Sequence, residues 1–324
     1  MSTNADRLKA RRLQWERLET LLSELSSRRL RGARAEVLME VSELYRSACA
    51  DLAMAEQYRL PPETAHYLHG LVGRTHNLIY RSQRFQLQSS ANLIFRYAPK
   101  QIFQDSCVHI CALLFFGLFT LSAIIAWNEE TFPGVAERIL GAEQIESMES
   151  MYRDLRFDSG PEEKLMMVGF YIQHNTGIGL TCFAGGPLIL PGLWTTAYNA
   201  TILGSTFGYM ARPNTEGGDN LLQFVTAHGA FELTAIALAA AAGLRIGLGW
   251  LFTGGLSRLA SLQLQAKRAL PIMAASVVLF VLAAFTEGII SPSNIPYLFK
   301  ALFGIASSTL LMYYFVVLGY PSEQ

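Results

Sequence analysis

Two hydrophobic patterns divide the chain. Before about residue 105, apolar positions recur every three or four residues; from Cys107 onward they merge into long runs broken by short polar segments. The first pattern predicts amphipathic helices. Leu8, Trp15, Leu18, Leu22 and Leu25 form one stripe. Leu38, Val41, Leu44, Tyr45, Ala48, Leu52 and Ala55 form a second, after a break near Arg31-Gly32. Pro61-Pro62-Glu63 opens a third helix with Leu68, Leu71, Val72, Leu78 and Ile79 on one side. Stripes of similar length in succession favour a small bundle, each face burying the others; a helix offered to a partner or laid on a membrane surface is the competing reading.

The second pattern predicts an all-α polytopic membrane protein. A helix needs about 20 apolar residues to cross a bilayer, and six such runs lie near 107–127, 166–186, 189–211, 222–244, 269–289 and 298–318. This divides the chain into a cytoplasmic helical domain over 1–105 and a transmembrane domain over 106–324. Only Gly185, Gly186 and Pro187 separate the second and third runs, with Pro191 and Gly192 close behind. They form either a tight hairpin or a re-entrant pair, since irregular backbone at depth is tolerated where protein buries it. Segment 86–106 mixes Phe95, Tyr97 and Phe103 with Arg96 and Lys100, the composition of an interfacial helix. Segment 128–164 has Val135, Ile139, Leu140, Ile145, Met148, Met151 and Leu155 near helical spacing and is expected as a short amphipathic helix.

Composition averages over these halves: 51% of residues are hydrophobic and 16% charged, and the mean hydropathy is +0.25. The distribution of charge is more useful than its zero sum. Residues 1–100 carry 16 Lys and Arg against 10 Asp and Glu, and loop 254–268 carries Arg258, Lys267 and Arg268 without an acid. Segment 128–164 holds ten acids against four bases, Arg138, Arg153, Arg156 and Lys164. The positive-inside rule therefore predicts both termini and loop 254–268 in the cytoplasm, with 128–164 outside. The start, MSTNADRLKARRLQWERL, reads as a soluble helix rather than a signal peptide. Cys49, Cys107, Cys111 and Cys182 form no metal-type CxxC and no disulfide framework, so they are expected as small packing residues.

One feature asks for chemistry. Glu232 lies within the fourth run, NLLQFVTAHGAFELTAIALAAAAGL, with His228 four residues earlier on the same helical face. A carboxylate at that depth costs about 2.5–3.5 kcal/mol on insertion scales and calls for a partner or a wet cavity. At a rise of about 1.5 Å per residue, His174 and Asn175 lie roughly 14 Å inside, His228 roughly 9 Å and Glu232 roughly 15 Å. Asn199 falls near mid-membrane, and Glu287 nearer the outer surface. His174, Asn175, Asn199, His228, Glu232 and Glu287 are thus a candidate intramembrane polar cluster. It reads as a buried hydrogen-bond network, as a metal or hydrolytic site with two His and a carboxylate, or as a path for protons or a small solute. HxxxE is a weak pattern and HExxH is absent; no catalytic residue, metal or cofactor is assigned.

Gly204-xxx-Gly208 and Gly243-xxx-Gly247 are helix-packing faces, within the chain or between two copies. Arg245, at the cytoplasmic end of the fourth run, is expected to snorkel outward. There is no phosphate-binding loop, dinucleotide fingerprint or GxSxG, and no nucleic-acid partner is indicated.

The strings AHGAFELTAIALAAAAGLRIGLGWL, YIQHNTGIGLTCFAGG, YNATILGSTFG and FTEGIISPS resemble the stage II sporulation protein M (SpoIIM-like) membrane family, as do EVLMEVSELYRSACADLAMAEQYRL and HYLHGLVGRTHNLIYR in its cytoplasmic head. The resemblance covers roughly residues 10–318. Gln173-His174-Asn175 stands where an Asn pair is expected. By position, His228, Gly229, Glu232, Glu287 and Gly288 match the family's elements, without roles. The resemblance implies a multi-pass bacterial inner-membrane protein acting beside peptidoglycan-remodelling or other envelope proteins, including a MoxR-type AAA ATPase system. The expected function is a non-catalytic scaffold or assembly partner, self-associating as a homodimer in the bilayer. A transporter or channel using the polar cluster is the alternative, and a membrane-embedded metallo-hydrolase the third reading.

Overall fold

A computed structural model describes residues 4–27, 35–58, 60–79, 91–153 and 160–321. The expected break at Arg31-Gly32, the start of segment 86–106, and Leu155 and Arg156 lie outside the described residues, as do the side chains of Leu8, Leu38 and Ile79. The chain divides into two compact units, Met1–Gln86 and Leu87–Gln324.

The first unit contains helices α1 (Asn4–Ser27), α2 (Ala35–Gln57) and α3 (Pro62–Ile79). Proline at the first turn suits a helix start, because its fixed φ is helical and its missing N–H would have no intrahelical partner. The three apolar faces bury one another: Trp15, Leu18, Leu21 and Leu25 meet Val41, Ala48, Ala55, Leu68 and Leu71. Leu21, outside the expected stripe, is as buried as its neighbours. Asp51 is fully buried and accepts the Trp15 indole N–H at 2.9 Å while pairing with Arg11.

In the second unit, a π turn over Leu93–Tyr97 leads into α4 (Ala98–Gln104). This segment packs with the membrane helices: Tyr314 Oη donates to the Ile94 carbonyl at 2.5 Å, and Phe103 meets Tyr320 edge-on. Asp105 then caps α5 (Ser106–Trp127) by accepting the Cys107 N–H at 2.9 Å. Segment 128–164 contains two short helices before α8, α6 (Val135–Leu140) and α7 (Ala142–Arg153), rather than one; Gly141 separates them at φ 82°. Next come α8 (Pro161–Gly185) and α9 (Leu190–Met210), joined by a 3₁₀ turn at Gly186–Leu188. Short α10 (Gly218–Val225) precedes α11 (Gly229–Leu251) and α12 (Arg258–Phe285), which a π turn continues to Ile290. Last is α13 (Tyr297–Met312), with a π turn to Val317.

Among the described residues, four helices are long and apolar enough to cross a membrane: Ser106–Trp127, Gly229–Leu251, Arg258–Ile290 and Tyr297–Val317. The chain is an all-α polytopic membrane protein, but the expected count of six falls to four by this measure. The second and third expected spans do form helices, of 25 and 21 residues. Glu162, Glu163 and Lys164 open one of them, and Thr, Asn, Tyr and Gly dilute the apolar character of both.

Two further expectations are corrected. The fourth run is not one helix: it breaks at Thr226–His228, where the Thr226 hydroxyl turns back to the Leu222 carbonyl at 2.5 Å. The expected loop 254–268 is mostly helix, because Ser257 caps α12 and Gly254 and Gly255 make the turn with positive φ.

The centre of this unit is α11. Ala235 to Leu244 form an unbroken buried run packed among Phe115, Cys182, Ile272 and Phe280. Small side chains bring the helices close, and the glycines mark where backbones touch. A Cβ at Gly204 or Gly208 would meet the backbone of Phe119 or Ala123 on α5. Gly243 lies against Phe183, and Gly247 against the Gly186 carbonyl, so all four glycines serve contacts within the chain. The α8–α9 connection is a tight hairpin: Gly185 and Gly192 approach so closely that a Cβ on Gly185 would lie 2.8 Å from the Gly192 nitrogen. The four cysteines are free; Cys107, Cys111 and Cys182 are buried in this core.

Candidate functional site

The break before α11 shapes the polar site. By interrupting the run, it places His228 at the N-cap and Glu232 in the first helical turn, where the positive end of the helix dipole favours a carboxylate. The imidazole is 3% exposed and edge-on to Phe224. His228 Nδ1 lies 2.8 Å from Ser291 Oγ, which turns Nε2 toward Glu232 Oε2 at 3.6 Å. The latter separation is too long for a hydrogen bond.

Glu287 reaches the same place from the π turn that ends α12, and accepts the Asn175 amide of α8 at 2.9 Å. One ligand atom from each of His228, Glu232 and Glu287 lies within 4.8 Å of the others. Lys300, fully buried at the start of α13, donates to the Ser291 carbonyl at 2.7 Å. The site has an aromatic border of Tyr152, Tyr171 and Phe224. Burial, with Glu287 and Glu232 adding negative charge, pushes the Tyr152 hydroxyl up to about 12.

Four of the six sequence candidates therefore come together: Asn175, His228, Glu232 and Glu287. His174 does not join them. Successive helical residues point about 100° apart; with Asn175 inward, His174 is exposed and stacks on Phe170. Asn199 does not join them either, because its amide donates to the Thr195 carbonyl of its own helix at 2.8 Å. Ser291 and Lys300 are the residues the pattern missed. A lysine near the start of an apolar run was the available signal for Lys300; Ser291 carried none.

A second polar pair lies on the opposite side of the buried α11 run. Arg245 does not snorkel outward: its side chain is 16% exposed and it pairs with fully buried Asp105, Nη2 to Oδ1 at 2.7 Å. Its other Nη donates to Gln265 at 2.9 Å. The acid immediately before α5 gives this arginine a nearer partner than water.

The family model for Stage II sporulation protein M matches residues 111–292, more than half of the chain. The chain belongs to the stage II sporulation protein M family. Within this SpoIIM protein the match includes Asn175, His228, Glu232, Glu287 and Ser291, and ends before Lys300. Residues 6–81, which hold nearly all of α1 together with α2 and α3, match a family described as Domain of unknown function (DUF8413). Neither a curated protein nor a solved structure matches the chain.

Proposed function

We propose that this SpoIIM-family protein is a non-catalytic scaffold of the bacterial inner membrane, an assembly partner for envelope proteins. The observation that carries this reading is the closed core of α11. From Ala235 to Leu244 the helix is buried and apolar between the two polar sites, which favours rigid packing over a solute path. Support also comes from the separately cored three-helix unit, a surface suited to partners such as a MoxR-type AAA ATPase or peptidoglycan-remodelling proteins. Leu13, Met39 and Tyr58 are exposed on that unit. The excess of basic residues before α5 and the acidic segment 128–164 favour cytoplasmic termini. In this reading the protein self-associates in the bilayer.

Complementation of a deletion strain tests the proposal. Glu232→Gln, folded and inserted, should complement fully, whereas Leu13→Glu combined with Met39→Glu should insert normally and fail. Loss of complementation in folded Glu232→Gln, with the double variant fully active, overturns the scaffold reading in favour of chemistry or transport at the polar site.

A further inference from the structure

We propose that His228, Glu232 and Glu287 bind a divalent transition-metal ion that ties the start of α11 to the end of α12. This goes beyond a scaffold role and does not depend on it. Three observations support it. First, the donor set is right: one imidazole nitrogen and two carboxylate oxygens suit zinc and its first-row neighbours. These atoms lie within 4.8 Å of one another. Second, the Nε2–Oε2 separation of 3.6 Å exceeds a hydrogen bond. It is close to the ~3.4 Å edge of a tetrahedron with metal–ligand bonds of 2.0–2.1 Å.

Third, the ligands have outer supports. Ser291 Oγ holds His228 Nδ1 and leaves Nε2 free for a metal, and the Asn175 amide orients Glu287. Metal-binding imidazoles and carboxylates are usually held in this way. The groups around the trio are Tyr152, Tyr171, Asn175, Ser291 and Lys300, whose ammonium is directed to the Ser291 carbonyl. Two carboxyl groups beside one imidazole make a mixed oxygen and nitrogen donor set of the kind that holds such an ion. Glu232 is the most exposed of the three, with 16% of its side chain accessible, and three protein ligands leave a fourth coordination position for water or an oxyanion.

The test uses the full-length, untagged protein in nanodiscs, stripped with EDTA and titrated with Zn²⁺ against a chromophoric chelator. The wild type should bind about one equivalent per chain at the three-ligand site. His228→Ala and Glu232→Gln should weaken binding at least about tenfold, and Asn175→Ala or Ser291→Ala about tenfold, the range for lost outer supports. His174→Ala should bind like the wild type. No binding by the wild type overturns the proposal; equal losses in His174→Ala and His228→Ala overturn it too. Because the variants risk misfolding, zinc-edge X-ray absorption of the loaded wild type is the second measurement. It should show a nitrogen and oxygen shell at about 2.0–2.1 Å including one imidazole; a sulfur shell would overturn the assignment.

Discussion

Asp105 and Arg245 stand 140 residues apart and join the start of α5 to the last third of α11, with Arg245 Nη2 2.7 Å from Asp105 Oδ1. The same aspartate caps α5 through the Cys107 N–H. One buried carboxylate thus starts one helix and fixes another.

Removing either partner should strand a buried charge. Asp105→Ala and Arg245→Met are each expected to destabilise the membrane unit by about 3–5 kcal/mol, and the double variant by less than the sum. Thermal unfolding in detergent measures this. Single variants that melt with the wild type would show that water reaches the pair.

Backbone contact at α5 and α9 predicts a steep size dependence. Gly204→Leu and Gly208→Leu would drive a side chain into the Phe119 and Ala123 carbonyls. Overpacking costs about 1–3 kcal/mol or more, and here the obstacle is backbone. Folded yield by size-exclusion chromatography should collapse. Gly117→Ala has open space at its Cβ and should fold normally. Equal yields for all three would disprove the close contact.

In the first unit, Asp51→Ala should cost about 1–3 kcal/mol, because the buried Trp15 indole N–H loses its acceptor. Leu68→Ala should cost about 2–5 kcal/mol by leaving a cavity. Hydrogen exchange on the full chain should show faster opening of α1 and α2 in both variants, with α11 unchanged.

A small acid dependence is expected in the same unit. Hydrogen bonding from Arg17 holds the Glu40 carboxyl below its ordinary value of 4.5. A carboxyl lowered on folding contributes stability above its unfolded value and loses it as pH falls through the folded one. Protection of α1 and α2 should therefore fall as pH drops below the ordinary carboxyl value of 4.5, and less so in Glu40→Gln. The pair is solvent-exposed, so the change is small. Identical acid profiles for the two proteins would remove this contribution.

The sequence by itself determined the helical, polytopic character of the chain and the family to which it belongs. Long apolar runs and three- and four-residue periodicity follow from burial in lipid or against a neighbouring helix, and both are local properties. Periodicity also identified His228 and Glu232 as one face. Tertiary structure decided what no run of residues records. It broke the fourth run at Thr226–His228, because a turn depends on what α8, α12 and α13 place around it. It brought in Asn175, Glu287, Ser291 and Lys300, and sent His174 and Asn199 elsewhere. Equal depth along separate helices leaves rotation about each axis free, and only packing fixes that rotation. The same limit applied to Arg245: its position near a helix end suggested water, and the partner that holds it inside is contributed by α5 from 140 residues away.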